Sequence, residues 1–277
     1  MSKKNNFIER SLAGALSFLK ESIFSEEYAL KRGLLQPLDP RVKVFTFFSL
    51  LILVVFLKNI PAVFFIYLFS LLLAVFSRVN LGFFLKRTWV FIPLFSLFIA
   101  LPALFNFFTP GETLWQFKLF GLQMVVTRPG FYGALLFVLR VATSVSLVIL
   151  LSLTTRHTQL LKVLRIFKVP QVFVFTLGLC YRYIYLFIEV VENTYLGIKS
   201  RIGTGLTSRK GQHIVAWNIA SLWHRSYLLN EEVYKAMLSR GYTGEPVVLD
   251  EFKAGRRDLF WILFIIGLII CIIIYLP

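Results

Sequence analysis

The residues with most chemistry to offer in this sequence are arginines at the ends of helical patterns. Two segments, Ile198-Lys199-Ser200-Arg201-Ile202 and Ala236-Met237-Leu238-Ser239-Arg240-Gly241-Tyr242, each place a small residue and then an arginine at a glycine-containing break. A small residue lets a helix end approach a partner closely, and a guanidinium fork makes paired hydrogen bonds to a carboxylate. Two such ends suit two copies of one partner. Each motif alone has a plainer reading, a cation completing the dipole at a helix C-terminus. Arg140 lies inside an apolar run, where a charge is costly and faces the bundle or water. It reads as a structural pair or a gating contact. Arg182 and Glu189, seven residues apart and near one helix face, read as structural partners of another helix.

No Walker A sequence, HExxH or GxSxG is present. Gly203-Thr204-Gly205 reads as a turn after a helix and not as a phosphate cradle. His157, His213 and His224 have neither an i,i+4 partner nor a neighbouring cysteine, so no metal site is expected. Cys180 and Cys271 sit in apolar runs and suggest no disulfide framework. The chain is expected to bind no cofactor and to catalyse no reaction; energy for any work comes from a partner.

These arginines need elements to hold them. The segment 154–258 reads as helices throughout. Residues 159–168 form a short amphipathic helix ended by Pro170, and a long helix runs on to Ile202. Another covers about 217–229, and a last short one starts at Asn230, whose side chain caps free N–H groups ahead of Glu231 and Glu232. Gly241 is the expected residue just past its end. Around this segment lie apolar runs at 44–57, 62–76, 89–105, 133–153 and 259–276, each of a length for a membrane span with its flanks. Pro93 and Pro102 inside the third are tolerable where neighbouring helices satisfy the freed backbone groups. Residues 106–132 read as a polar loop. Ahead of the spans, Ile8, Leu12, Leu16, Leu19 and Ile23 recur at helical spacing, suiting an amphipathic helix on a membrane surface or a soluble helix docked on the rest of the protein.

Composition agrees with a lipid solvent. Of 277 residues 57% are apolar and only 16% charged, 30 are Phe, and mean hydropathy is +0.74. The net charge of +16 is interleaved with the spans, which argues for anionic lipid headgroups and against nucleic acid. Lys and Arg number seven up to Arg41, one at Lys58, three over 78–87, two over 106–132 and four over 154–170. That alternation places the N-terminus, 78–87 and 154–170 in the cytoplasm. The apolar run 172–191 would, as a full crossing, put the ten basic residues of 192–258 outside. It is therefore expected to dip into the bundle without crossing, which gives five spans; six is the alternative. The expected fold is an all-α polytopic membrane protein of a bacterial or archaeal plasma membrane. It comprises a cytoplasmic N-terminal segment 1–40, four spans over 41–153, a cytoplasmic helical module over 154–258 and a C-terminal span over 259–277.

Several blocks resemble the transmembrane (T) component of energy-coupling-factor transporters, specifically the CbiQ family of cobalt uptake systems. They are Asp39-Pro40-Arg41-Val42-Lys43, Pro102-Ala103-Leu104-Phe105-Asn106, Thr109-Pro110-Gly111-Glu112, Leu139-Arg140-Val141, Leu153-Thr154-Thr155, Tyr181-Arg182-Tyr183 and, most specific, residues 236–245. In that family two Ala-Arg-Ser or Ala-Arg-Gly motifs end long cytoplasmic coupling helices and dock into grooves on two ATPase subunits. The matching positions are Ser200-Arg201-Ile202 and Ser239-Arg240-Gly241, with Ser for Ala in both and Ile202 departing further. The resemblance implies two ATP-binding subunits (CbiO-like) that hold ATP and Mg2+. It also implies a substrate-capturing membrane subunit (CbiM-like, with a small CbiN-like protein) that carries any metal ligands. Cobalt or nickel uptake is the implied function, with a vitamin-type importer as the alternative. A stand-alone carrier would need a polar path through the spans, and a membrane-embedded enzyme would need convergent acids or histidines there; neither is evident.

Overall fold

The computed structural model describes residues 28–31, 33–90, 92–104, 112–119, 122–202, 208–244 and 255–275. The amphipathic pattern over 8–23, the 203–205 turn and Asn106 lie outside these. Two compact units divide the described chain, one holding 28–160 and 255–275, the other 161–244.

The first unit is a helical bundle. Helix α1 (Pro40–Phe56) starts where Asp39 Oδ1 accepts from Arg41 N at 2.8 Å and Pro40 supplies a first-turn position that needs no N–H donor. Leu57, Lys58 and Asn59 turn the chain into α2 (Ile60–Phe76). Asn80 Oδ1 caps α3 (Leu81–Trp89) through Gly82 N at 3.0 Å. Then α4 (Ile92–Ala100) and a 3-10 turn, Pro102–Leu104, follow. The third apolar stretch thus starts earlier than expected. Leu81–Ala100 forms one 20-residue candidate span, and Lys86 and Arg87, expected in a loop, occupy the last turn of α3. Pro93 falls in the first turn of α4, where a missing N–H costs nothing, so it does not break the stretch. The polar loop also holds more order than expected. Thr113–Leu119 (β1) and Leu122–Thr127 (β2) pair antiparallel, as their Thr, Val and aromatic content allows. Helix α5 (Arg128–Thr154) begins five residues sooner than its apolar run suggested, capped by Thr127 Oγ1 on Gly130 N.

Helix α5 is the axis of this unit, packing against α1, α2, α3 and α4. Small polar residues let it approach α2: Ser70 and Ser146 hydroxyls meet at 2.7 Å, both buried, beside Thr143 and Ala142. The outer surface is the reverse. Phe48, Phe56, Phe64, Phe76, Phe95 and Phe98 are exposed. A bundle with hydroxyls inside and phenyl rings outside is built for lipid. Helix α9 (Arg256–Tyr275) packs on α1. The protein is a multi-pass, all-α membrane protein, with the short hairpin set between its helices. Among the described residues four helical stretches, Leu81–Ala100, Arg128–Thr154, Gln171–Thr194 and Arg256–Ile274, are long and apolar enough to cross, and Ile60–Phe76 is a shorter apolar helix.

In the second unit α6 (His157–Leu164) runs into that unit from the bundle and ends in a 3-10 turn, Arg165–Phe167. Lys168 closes it in the left-handed region (φ 59°) ahead of Pro170. Two 32-residue helices follow, α7 (Gln171–Ile202) and α8 (Ser208–Ser239). The break expected at Asn230 is absent. Between Gly211 and Gly241 there is neither Gly nor Pro, and Glu231 and Lys235 pair at 3.8 Å across one turn, so the helix runs through.

Candidate functional site

Both Ser-Arg motifs sit at C-terminal helix ends. Ser200 Oγ donates to Gly197 O at 2.9 Å, and Ser239 Oγ donates to Ala236 O at 3.0 Å. The two hydroxyls are folded back on the previous turn in the same way, so the small side chains leave the arginines clear. Ser200, Arg201, Ser239 and Arg240 are all exposed. Ile202 closes α7.

The second end is the better defined. Gly241 adopts φ 80°, which a side chain disfavours. Its N–H bonds Leu238 O at 3.0 Å, and Tyr242 N bonds Met237 O at 3.0 Å. This pair of bonds closes the helix and turns the chain sharply, as Gly241 predicted. Tyr242 then stacks on Phe175, with ring centroids 5.9 Å apart. Phe175 lies in the first turns of α7, so the end of α8 returns to the start of α7. Arg240 is therefore beside one end of α7 and Arg201 at the other. At 1.5 Å per residue the stretch from Phe175 to Arg201 sets the two arginines roughly 40 Å apart.

Arg140 is elsewhere, half-buried on α5. Its Nε donates to Leu57 O at 3.1 Å and its Nη2 donates to the same oxygen. Leu57 follows the last turn of α1, so the guanidinium satisfies a carbonyl at a helix C-terminus within the apolar bundle. Tyr132 works beside it, donating to Lys58 O at 3.3 Å and accepting from Ile60 N at 3.4 Å. Together they fix the α1–α2 turn to α5. Glu112 pairs with Arg128 at 3.6 Å in the open. Arg182 and Glu189 are exposed on α7. Of the four singled-out arginines, Arg201 and Arg240 are at helix ends, Arg182 is exposed along α7 and Arg140 is within the bundle.

Sequence reasoning missed a buried polar node. Lys43, only 1% exposed, donates from Nζ to Thr154 O at 3.1 Å. Its ammonium lies in the field of Asp39 and Asp258. Asp258 accepts from Asp39 N at 2.8 Å through Oδ1 and from Gly255 N at 2.7 Å through Oδ2. Trp261 Nε1 donates to Thr46 Oγ1 at 3.2 Å alongside. Asp39 and Lys43 belong to the start of α1, Thr154 to the end of α5 and Asp258 to the start of α9, so the node binds three helices across sequence separations of 111 and 219 residues. Asp39 and Lys43 stand four apart, a pattern that marks a helical pair, but only the fold brings Asp258 to them.

Among the described residues no cluster of His, Cys, Asp and Glu suits a metal ion. The family model for the cobalt transport protein CbiQ matches residues 31–250. An uncharacterised protein of Methanocaldococcus jannaschii is 33% identical over 260 residues, 94% of this chain and 89% of its own. A second from that organism is 27% identical over 241 residues, 83% of this chain and 84% of its own. The energy-coupling factor transporter transmembrane protein EcfT of Streptococcus thermophilus is 30% identical over 244 residues, 84% of this chain and 88% of its own.

Proposed function

The chain belongs to the CbiQ family of cobalt transport proteins, and on that premise we propose that it is the non-catalytic coupling subunit of an energy-coupling-factor importer. Two ATPase subunits hold ATP and Mg2+, and a separate membrane subunit captures the substrate. The observation that carries this reading is the pair of exposed Ser-Arg ends on two equal helices, Arg201 and Arg240, at opposite ends of α7. A separation of roughly 40 Å between them suits one docking point per ATPase subunit. Likeness to a protein named as an energy-coupling factor transporter transmembrane protein supports the same reading.

Each guanidinium meets a carboxylate of its ATPase partner. When ATP binding draws the two ATPases together, the arginines follow the moving surfaces and the long helices shift. A ligand moves such an equilibrium only by its differential affinity for the two states, so the arginine contacts must differ between open and closed ATPases. Co2+ is the first substrate to test, with Ni2+ or a vitamin as alternatives set by the substrate-capturing subunit. The N-terminus and 161–244 face the cytoplasm in this scheme, where the ATPases reside.

The test is co-purification in detergent with the ATPase subunits of the same organism, wild type against Arg201→Glu/Arg240→Glu. Wild type is expected to hold the ATPases, and the double variant to insert normally and lose them. Retention by the double variant, or no retention by wild type in any nucleotide state, would overturn the assignment.

A further inference from the structure

We propose that the buried node of Lys43, Asp39, Asp258 and the Thr154 carbonyl passes motion from residues 161–244 into the bundle, with Lys43 and Asp258 as its positioning residues; the proposal rests on the coupling reading above. The chain leaves the bundle through the end of α5 and returns through the start of α9. Thr154 closes α5, six residues before Leu160, and Asp258 lies in the first turn of α9. The two chain connections that flank residues 161–244 thus pass through residues of the node.

Lys43 Nζ holds the exit at Thr154 O, and the Asp258 carboxylate holds both its own approach, at Gly255 N, and the start of α1, at Asp39 N. Exit and entry are tied to one helix start, so a displacement of either strand is imposed on α1 as a rigid body. The chemistry points away from stability as the reason for this arrangement. Buried charges recover their desolvation cost only in part, and apolar residues of the same shape would hold three helices at least as well. What charges add is register: Lys43 has one carbonyl within reach and Asp258 has two N–H groups, so sliding by a residue leaves a buried charge unmet. Arg140 and Tyr132 hold the far end of α1 to α5 in the same manner, so α1 moves as a unit once its start is moved.

The experiment is hydrogen exchange on the assembled complex of the full chain with its ATPase and membrane partners, with and without MgATP. In wild type, nucleotide is expected to change exchange at the ends of α7 and α8 and also in the first turns of α1 and α9. In Lys43→Met and in Asp258→Asn the response at the helix ends persists, while that in α1 and α9 falls about tenfold, the scale of a lost coupling between sites. The double variant Lys43→Met/Asp258→Asn, which removes both charges together, is read in the same way if a single variant fails to assemble. A merely structural role would lower the melting temperature and leave the nucleotide response of α1 and α9 intact; that result overturns the proposal, as does a wild-type α1 that ignores nucleotide. A wild-type chain that retains no ATPase fails the coupling reading itself, which the retained-ATPase control separates from failure of the node.

Discussion

At the scale of single residues, the arginines divide by what their guanidinium groups already hold. Arg140 bonds a carbonyl that has no helical partner, so Arg140→Met leaves Leu57 O unsatisfied inside an apolar bundle. The expected loss is about 1–3 kcal/mol, measured as a lower melting temperature in detergent, with ATPase retention unchanged. A fall in ATPase retention without loss of stability would place Arg140 in the coupling route instead. Gly241 is the residue whose backbone most directly aims Arg240. Its φ of 80° makes Gly241→Ala strained, at about 1 kcal/mol, and the variant is expected to weaken ATPase binding several-fold in titration. Equal binding by Gly241→Ala would show that the direction of Arg240 is immaterial. The serine-arginine pairs were legible from spacing alone because a helix end writes itself into sequence as a small residue, a cation and a glycine. Lys43 and Asp258 were not, since nothing local distinguishes a snorkelling lysine from a buried one, and the partners lie more than a hundred residues away.

At the scale of elements, the apolar runs located the bundle helices, and their ends were misread where capping overrode hydropathy. Helix α3 carries Lys86 and Arg87 in its last turn, which a loop reading based on charge excludes, yet a cation is favoured there. The hairpin over 113–127 was hidden by its polar flanks. Asn230 shows the opposite error: a good capping residue is also tolerated mid-helix when no break follows it. Because α8 runs through that position, Asn230→Ala is expected to change stability by less than about 0.5 kcal/mol, where loss of a true cap costs about 1 kcal/mol. Asn230→Pro would instead interrupt α8 at a cost near 3 kcal/mol. It is expected to disconnect Arg240 from the rest of the helix and lower ATPase retention. Matched losses in the Ala and Pro variants, read by thermal melts, would restore the two-helix description.

At the scale of the whole molecule, orientation and the fate of α7 are joined. Gln171–Thr194 has the length and composition of a span, whereas the basic residues beyond it argue for the cytoplasm. Cysteine labelling in a background without Cys180 and Cys271 separates these. Glu112→Cys is expected to react from outside intact cells, and Arg156→Cys and Gln212→Cys only after permeabilisation. Outside labelling at residue 212 would make α7 a crossing and leave Arg201 and Arg240 unavailable to cytoplasmic ATPases together. The positive charge of the whole chain gave this topology its first outline, but charge counts cannot distinguish a helix that lies along a membrane from one that enters it.

The central claim is that two arginines, roughly 40 Å apart, each hold one ATPase subunit. Native mass spectrometry of the nucleotide-free complex tests it most directly, by counting ATPase subunits per chain. Two are expected for wild type, one each for Arg201→Glu and Arg240→Glu, and none for the double variant. Two ATPase subunits still bound to the double variant would contradict the account.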